Sequence, residues 1–145
     1  MIAEPKVDNR IELLSIVFRL AGSDEYNMSQ FQQYTDNVAK HYESFQNHPL
    51  ITYVKSEKDK NGIAYDAVMS MAIHLDSNLN PRMTFDDNIP DPRWGQIDHP
   101  KFVKLLQDFY RDSDGERFFK SVEPLQREVS RRYYPIYEQL DAAWF

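Results

Sequence analysis

Asp8-Asn-Arg-Ile-Glu-Leu-Leu-Ser-Ile-Val-Phe-Arg-Leu-Ala-Gly22 decides the fold class. Asp8 is a good N-cap, because its carboxylate can accept from the open N–H groups of a first helical turn. Gly22 stands where a helix closes, at the position that favours a left-handed residue. Between them Ile11, Leu13, Leu14, Ile16, Val17, Phe18, Leu20 and Ala21 surround almost the whole circumference. Only Glu12, Ser15 and Arg19 interrupt them, as a thin polar stripe. A helix this apolar belongs at the centre of a domain.

Working outward, the same spacing recurs. A second helix is predicted from about Ser29 to Phe45, with Phe31, Tyr34, Val38, Tyr42 and Phe45 on one face. His48-Pro49 restarts the chain, since proline suits a first helical turn, and the third helix ends at Asn61-Gly62. The fourth, about Tyr65 to Leu75, is again mostly apolar. Residues 77–98 differ: Pro81, Pro90, Pro92 and Trp94 make a long irregular loop, a length that often accompanies function. His99-Pro100 opens a fifth helix striped by Phe102, Val103, Leu106, Phe109 and Tyr110. Gly115 should separate it from a short helix holding Phe118 and Phe119. The last pattern is Val122, Leu125, Val129, Tyr133, Ile136, Leu140 and Trp144, with a kink expected at Pro135. Val, Ile and Thr never cluster into alternating runs, so strands have little support. The expectation is one all-α domain over residues 1–145, of about six or seven helices. Because the last helix closes on Trp144-Phe145 with no polar tail, the chain is expected to be the N-terminal fragment of a longer protein.

Composition narrows the chemistry. At 145 residues and 41% hydrophobic, the chain has apolar surface enough for a core. A net charge of −6 argues against nucleic acid, whose phosphates need a basic face. Arg127, Arg131 and Arg132 form the one basic cluster and read as a solvated helix face. Cysteine is absent, which removes disulfides, thiolate metal sites and a cysteine nucleophile. No apolar stretch reaches the roughly 18 residues of a transmembrane segment, and no signal-peptide core opens the chain.

Asp66, Ser70 and His74 follow one another at four-residue intervals and form a polar stripe on the fourth helix. The residue types are those of a nucleophilic triad, but serine lies between the other two, so the carboxylate cannot orient the imidazole. The plainer reading is a narrow polar side, or the lining of a cleft. Glu57-x-Asp59-x-Asn61-Gly62 imitates the opening of a calcium loop, yet Val68 stands where a bidentate carboxylate is needed. Asp112-Ser-Asp114-Gly115-Glu116 is too short for such a loop. His41, His48, His74 and His99 show none of the spacings that place two imidazoles on one zinc. His48 and His99 each precede proline and suit capping. In the loop, Arg82, Asp86, Asp87, Arg93 and Trp94 mix charge with an aromatic anchor, as binding loops do. The competing reading is a surface loop packed on the helices by Phe85, Ile89 and Trp94.

Residues 7–22, Glu25-Tyr26-Asn27, Asn47-His48-Pro49, Gly62-Ile-Ala-Tyr-Asp-Ala-Val-Met-Ser-Met-Ala-Ile-His-Leu75 and Ile89-Pro-Asp-Pro-Arg-Trp-Gly95 resemble the bacterial domain-of-unknown-function family 4932. The resemblance runs across nearly the whole chain. Asn9 departs from it, standing where the family pattern has proline. The resemblance implies longer, exported proteins, periplasmic or at the cell surface, in which a His-Glu-x-x-His helix follows this region. It therefore implies a zinc metallopeptidase of the gluzincin type, with zinc and the general base held downstream and no metal ligand in this chain. Arg10, Glu12, Arg19, Asp66, Ser70, His74 and the Arg93-Trp94 pair would then support or line the cleft.

Two functions compete. One is the helical N-terminal region of an exported zinc peptidase, inactive alone and partnered by its own C-terminal domain. The other is a self-contained helical module that binds a peptide or protein. A cut domain should show an apolar patch at Trp144, Phe145 and the first helix; a module should bury those and expose a groove elsewhere.

Overall fold

The computed structural model describes residues 7–23, 32–86 and 88–144, with the side chains of the last helix described through residue 132 and at 135. Six α-helices account for most of them: α1 (Asn9–Leu20), α2 (Gln32–Tyr42), α3 (Pro49–Asn61), α4 (Asp66–His74), α5 (His99–Asp112) and α6 (Gly115–Trp144). Short 3-10 turns follow at Glu43–Phe45 and Pro92–Trp94. Among the described residues there is no strand, only an isolated bridge between Leu75 and Pro81. The chain is all-α, and of the expected six or seven helices six are present among the described residues.

The central place of α1 comes directly from its sequence. Asp8 accepts the N–H of Arg10 at 2.9 Å, closing the first turn. At the other end Gly22 has φ +88, Ser23 N–H reaches Phe18 O and Gly22 N–H reaches Arg19 O, each at 3.0 Å. That pair of bonds satisfies carbonyls the helix would leave open, and only glycine takes the φ without strain. Leu13, Leu14, Ile16, Val17, Phe18 and Leu20 are all buried. α3 and α4 pack on α1, α5 packs on α3 and α6, and α2 packs on α6.

Two aromatic groups fill the core. Tyr42 stacks on Phe109 at 5.6 Å between ring centres and meets Phe118 edge-on at 5.0 Å. The Tyr42 hydroxyl is the one buried side-chain polar atom without a hydrogen-bond partner among the described residues, and burial pushes its pKa up. On the other side Trp94 lies between Phe18 and Phe102, at 6.3 and 4.9 Å.

Several boundaries differ from expectation. The second helix stops at Tyr42 and tightens into a 3-10 turn over Glu43–Phe45. Gly115 does not set off a separate short helix: it opens α6, which continues through Pro124 and Pro135 to Trp144. The physical reason is that Phe118, Phe119 and Val122 already carry the period of the later stripe, and burial of all three outweighs the hydrogen bond lost at Pro124. Gly115 is needed for space, since a Cβ there would lie 2.5 Å from the Tyr110 ring. His99 is not the cap of α5. Asp98 caps it by accepting Lys101 N–H at 3.1 Å, whereas His48 does cap α3 through Leu50 N–H, also at 3.1 Å. Phe31, Asp87 and Phe145 lie outside the described residues, as do the side chains of Tyr133, Ile136, Leu140 and Trp144.

Candidate functional site

α4 is buried on one side and carries exposed apolar residues on the other. Ala67, Val68, Met71 and Ala72 face inward and are buried. Tyr65, Met69 and Ile73, four residues apart, face outward with 64, 49 and 53% of their surfaces exposed. Met83 and Ile89, from the following loop, are 57 and 41% exposed. These five are the only exposed large apolar side chains among the described residues, and all lie on one helix face or the loop beside it. Ser70, Ile73, His74, Arg82, Met83 and Pro90 enclose an open cleft of about 500 Å³ there.

The loop is fastened to α4 along its length. Arg82 N–H donates to His74 O at 2.8 Å, and Asp76 N–H to Asn80 O at 2.8 Å. The Asp76 carboxylate accepts the N–H groups of Asn78 and Asn80, tightening that turn around Leu79 at φ +64. Phe85 is sandwiched between two imidazoles, 4.8 Å from His74 and 4.6 Å from His99. His74 Nε2 lies 3.2 Å from Met83 O and His99 Nε2 lies 2.6 Å from Trp94 O. Trp94 is buried and donates its indole N–H to Ala67 O at 2.8 Å, so its ring anchors the loop inside the core. Ile89, expected to pack inward with it, faces solvent instead.

Arg93 forms a clasp over this attachment. Its guanidinium meets Asp91 at 2.9 Å and Asp66 at 2.6 Å, while Asp91 also caps the 3-10 turn through Arg93 N–H. The guanidinium holds both carboxyls below their ordinary range, Asp91 down to about 2. Ser70 Oγ donates to the Asp66 backbone carbonyl at 2.7 Å, and His74 bonds the loop. Asp66, Ser70 and His74 therefore each have a different partner and form no relay.

The remaining candidates from sequence fall elsewhere. Arg10 pairs with Asp8 at 2.6 Å and donates to Leu75 O at 2.6 Å, at the edge of a second cleft of about 420 Å³ that includes Ser77, Leu79 and Tyr110. Glu12 accepts the Tyr34 hydroxyl at 2.7 Å; burial raises its pKa and the hydroxyl opposes that shift. Arg19, half-buried on the same stripe, acts on Tyr34 through its charge. Arg82 and Asp86 are exposed on the loop, and Asp87 lies outside the described residues. Thus Ser70, His74 and Arg82 share one cleft, Asp66 and Arg93 brace its attachment, and Arg10 and Glu12 belong to other parts of the surface.

Sequence reading passed over Met69, Ile73 and Met83. A signal was present: apart from the stripe of Asp66, Ser70 and His74, α4 carries apolar residues round its circumference, more than one packed face uses. Among the described residues no three His, Asp or Glu side chains converge where they could hold a metal ion. Nor is any described helix long and apolar enough to cross a membrane. The Glu57–Gly62 stretch forms the last turn of α3 and its C-cap, with Asn61 Nδ2 donating to Glu57 O at 2.8 Å. Arg127, Arg131 and Arg132 are paired with Glu123 or Glu128 on the exposed face of α6. In comparisons with known proteins, the chain matches no family model, no curated protein and no solved structure.

Proposed function

We propose that this chain is a helical interaction module whose working surface is the outer face of α4 with the adjoining loop. The observation that carries the reading is that the exposed large apolar side chains among the described residues are Tyr65, Met69 and Ile73 on the outer side of α4 and Met83 and Ile89 on the loop that follows, with Ile73 and Met83 lining one cleft. Scattered apolar residues are ordinary on protein surfaces; exposed apolar residues repeated along one helix side and beside a cleft favour a place where another molecule sits. The firm attachment of the loop supports it too. A surface already held by Arg93, Trp94 and the Phe85 stack loses little conformational entropy when a partner arrives.

Tyr65 adds a geometric oddity. It precedes α4 at φ 47 and ψ −112, a conformation that costs a non-glycine residue of the order of 1–3 kcal/mol. Strain of that kind collects at binding surfaces, and here it sets a tyrosine ring at the rim of the apolar face.

Selection of twelve-residue peptides displayed on phage tests the module reading, with the Met69→Glu/Ile73→Glu double variant as counter-target. Peptides that hold the parent chain and release the double variant are expected. Peptides that hold both equally would place the binding surface elsewhere.

A second reading uses the same surface. Two of the motifs that resemble family 4932, Gly62–Leu75 and Ile89–Gly95, contribute Tyr65, Met69, Ile73 and Ile89 to this surface. In a longer, exported bacterial hydrolase the face would dock on the following catalytic part, where zinc and the attacking water would reside. The intact mass of the mature protein from its source separates the two: a mass near 17.2 kDa leaves only the module.

A further inference from the structure

Resting on the docking reading, we infer that the partner is a peptide segment presenting a carboxylate among apolar side chains, with Arg82 receiving that carboxylate. Arginines in this chain are almost all spoken for. Arg10, Arg93, Arg111, Arg117, Arg127, Arg131 and Arg132 each meet a carboxylate. Arg19 is also engaged. Arg82 alone has no ion pair or side-chain hydrogen bond among the described residues, and it lines the cleft beside Ile73, Met83 and Pro90.

The described carboxylates nearby do not compensate it. Asp66 and Asp91 are taken by Arg93, and the Asp76 carboxylate accepts two backbone N–H groups of its own turn. Asp86, four positions further along the exposed loop, makes no ion pair with Arg82. A planar guanidinium flanked by methionine and isoleucine offers two parallel donors to a carboxylate and apolar walls to what surrounds it. A basic or wholly apolar segment would leave that cation facing like charge or a dry contact, which costs affinity. The thioethers of Met69 and Met83 adapt to side chains of differing shape, so the carboxylate supplies register and the apolar wall supplies area.

The test uses the whole chain and a phage-displayed random library of twelve-residue peptides in low salt. The inference expects enriched peptides to carry one Asp or Glu beside Leu, Ile, Phe or Trp. Replacing that acid by its amide, or Arg82 by Gln, should each weaken binding about tenfold or more, and the two losses should not add. Added salt should weaken the parent complex and leave the R82Q complex unchanged. Peptides that discriminate against Met69→Glu/Ile73→Glu but bind R82Q equally would overturn the carboxylate and leave the docking face standing. Failure to enrich any peptide on the parent chain would overturn both.

Discussion

α1 and α4 read alike and live differently. Each is a short helix with apolar residues on nearly every side, and they pack against one another at the heart of the molecule. α1 is enclosed: Leu13, Leu14, Ile16, Val17, Phe18 and Leu20 are all buried, and its polar stripe of Glu12, Ser15 and Arg19 is half-covered. α4 buries Ala67, Val68, Met71 and Ala72 and leaves Tyr65, Met69 and Ile73 outside. The difference teaches that an all-round apolar helix signals a second partner as readily as a central position. For α1 both partners are in this chain. For α4 one side has no described helix over it.

The largest contrast should appear within α4 itself. Met71→Ala removes a fully buried side chain and should cost about 2–5 kcal/mol in urea unfolding. Met69→Ala, two residues away, should stay within about 0.5 kcal/mol. Equal losses would mean that the outer face is covered after all. Next comes the anchor of the loop. Trp94→Phe keeps an aromatic ring but loses the bond to Ala67 O and some packing, for about 1–3 kcal/mol in the same measurement.

Much of this arrangement was legible in the sequence. The caps Asp8 and His48, the stops at Gly22 and Gly62, and the stripe of α5 all follow from local chemistry that a single chain displays. The run from Gly115 to Trp144 was harder, because Pro124 and Pro135 argue against one helix while the apolar period argues for it. The candidate surface was only half legible. His74, Arg82 and the loop stood out as polar residues in an apolar setting. Met69, Ile73 and Met83 did not, since exposure is decided by which elements cover which, and periodicity is silent when every side is apolar. Trp94 looked like a binding aromatic because the same loop composition suits both anchoring and contact.

The smaller predictions concern charge. Burial raises the Glu12 pKa, so the folded chain binds more protons there than the unfolded chain does at pH above about 4.5. Stability should therefore decline as pH rises from about 4.5 toward neutrality, and Glu12→Gln should flatten that slope. Asp91 and Asp66 act in the opposite sense. Their lowered values mean stability that is complete above the ordinary aspartate range and lost as pH falls toward about 2. Arg93→Ala should weaken the clasp at neutral pH and shrink that acid limb, read as thermal midpoints from pH 5 to about pH 2. As small as that of Met69→Ala should be the stability change of Ile73→Glu, within about 0.5 kcal/mol, although it places a charge in the middle of the docking face.

The methionines give the most direct test of whether the outer face of α4 is open. With methyl-13C methionine incorporated, a soluble nitroxide added to the whole chain should broaden the Met69 and Met83 methyl signals and spare Met71, which is fully buried between them in sequence. Protection of Met69 and Met83 to the level of Met71 would contradict the open face and, with it, the docking surface.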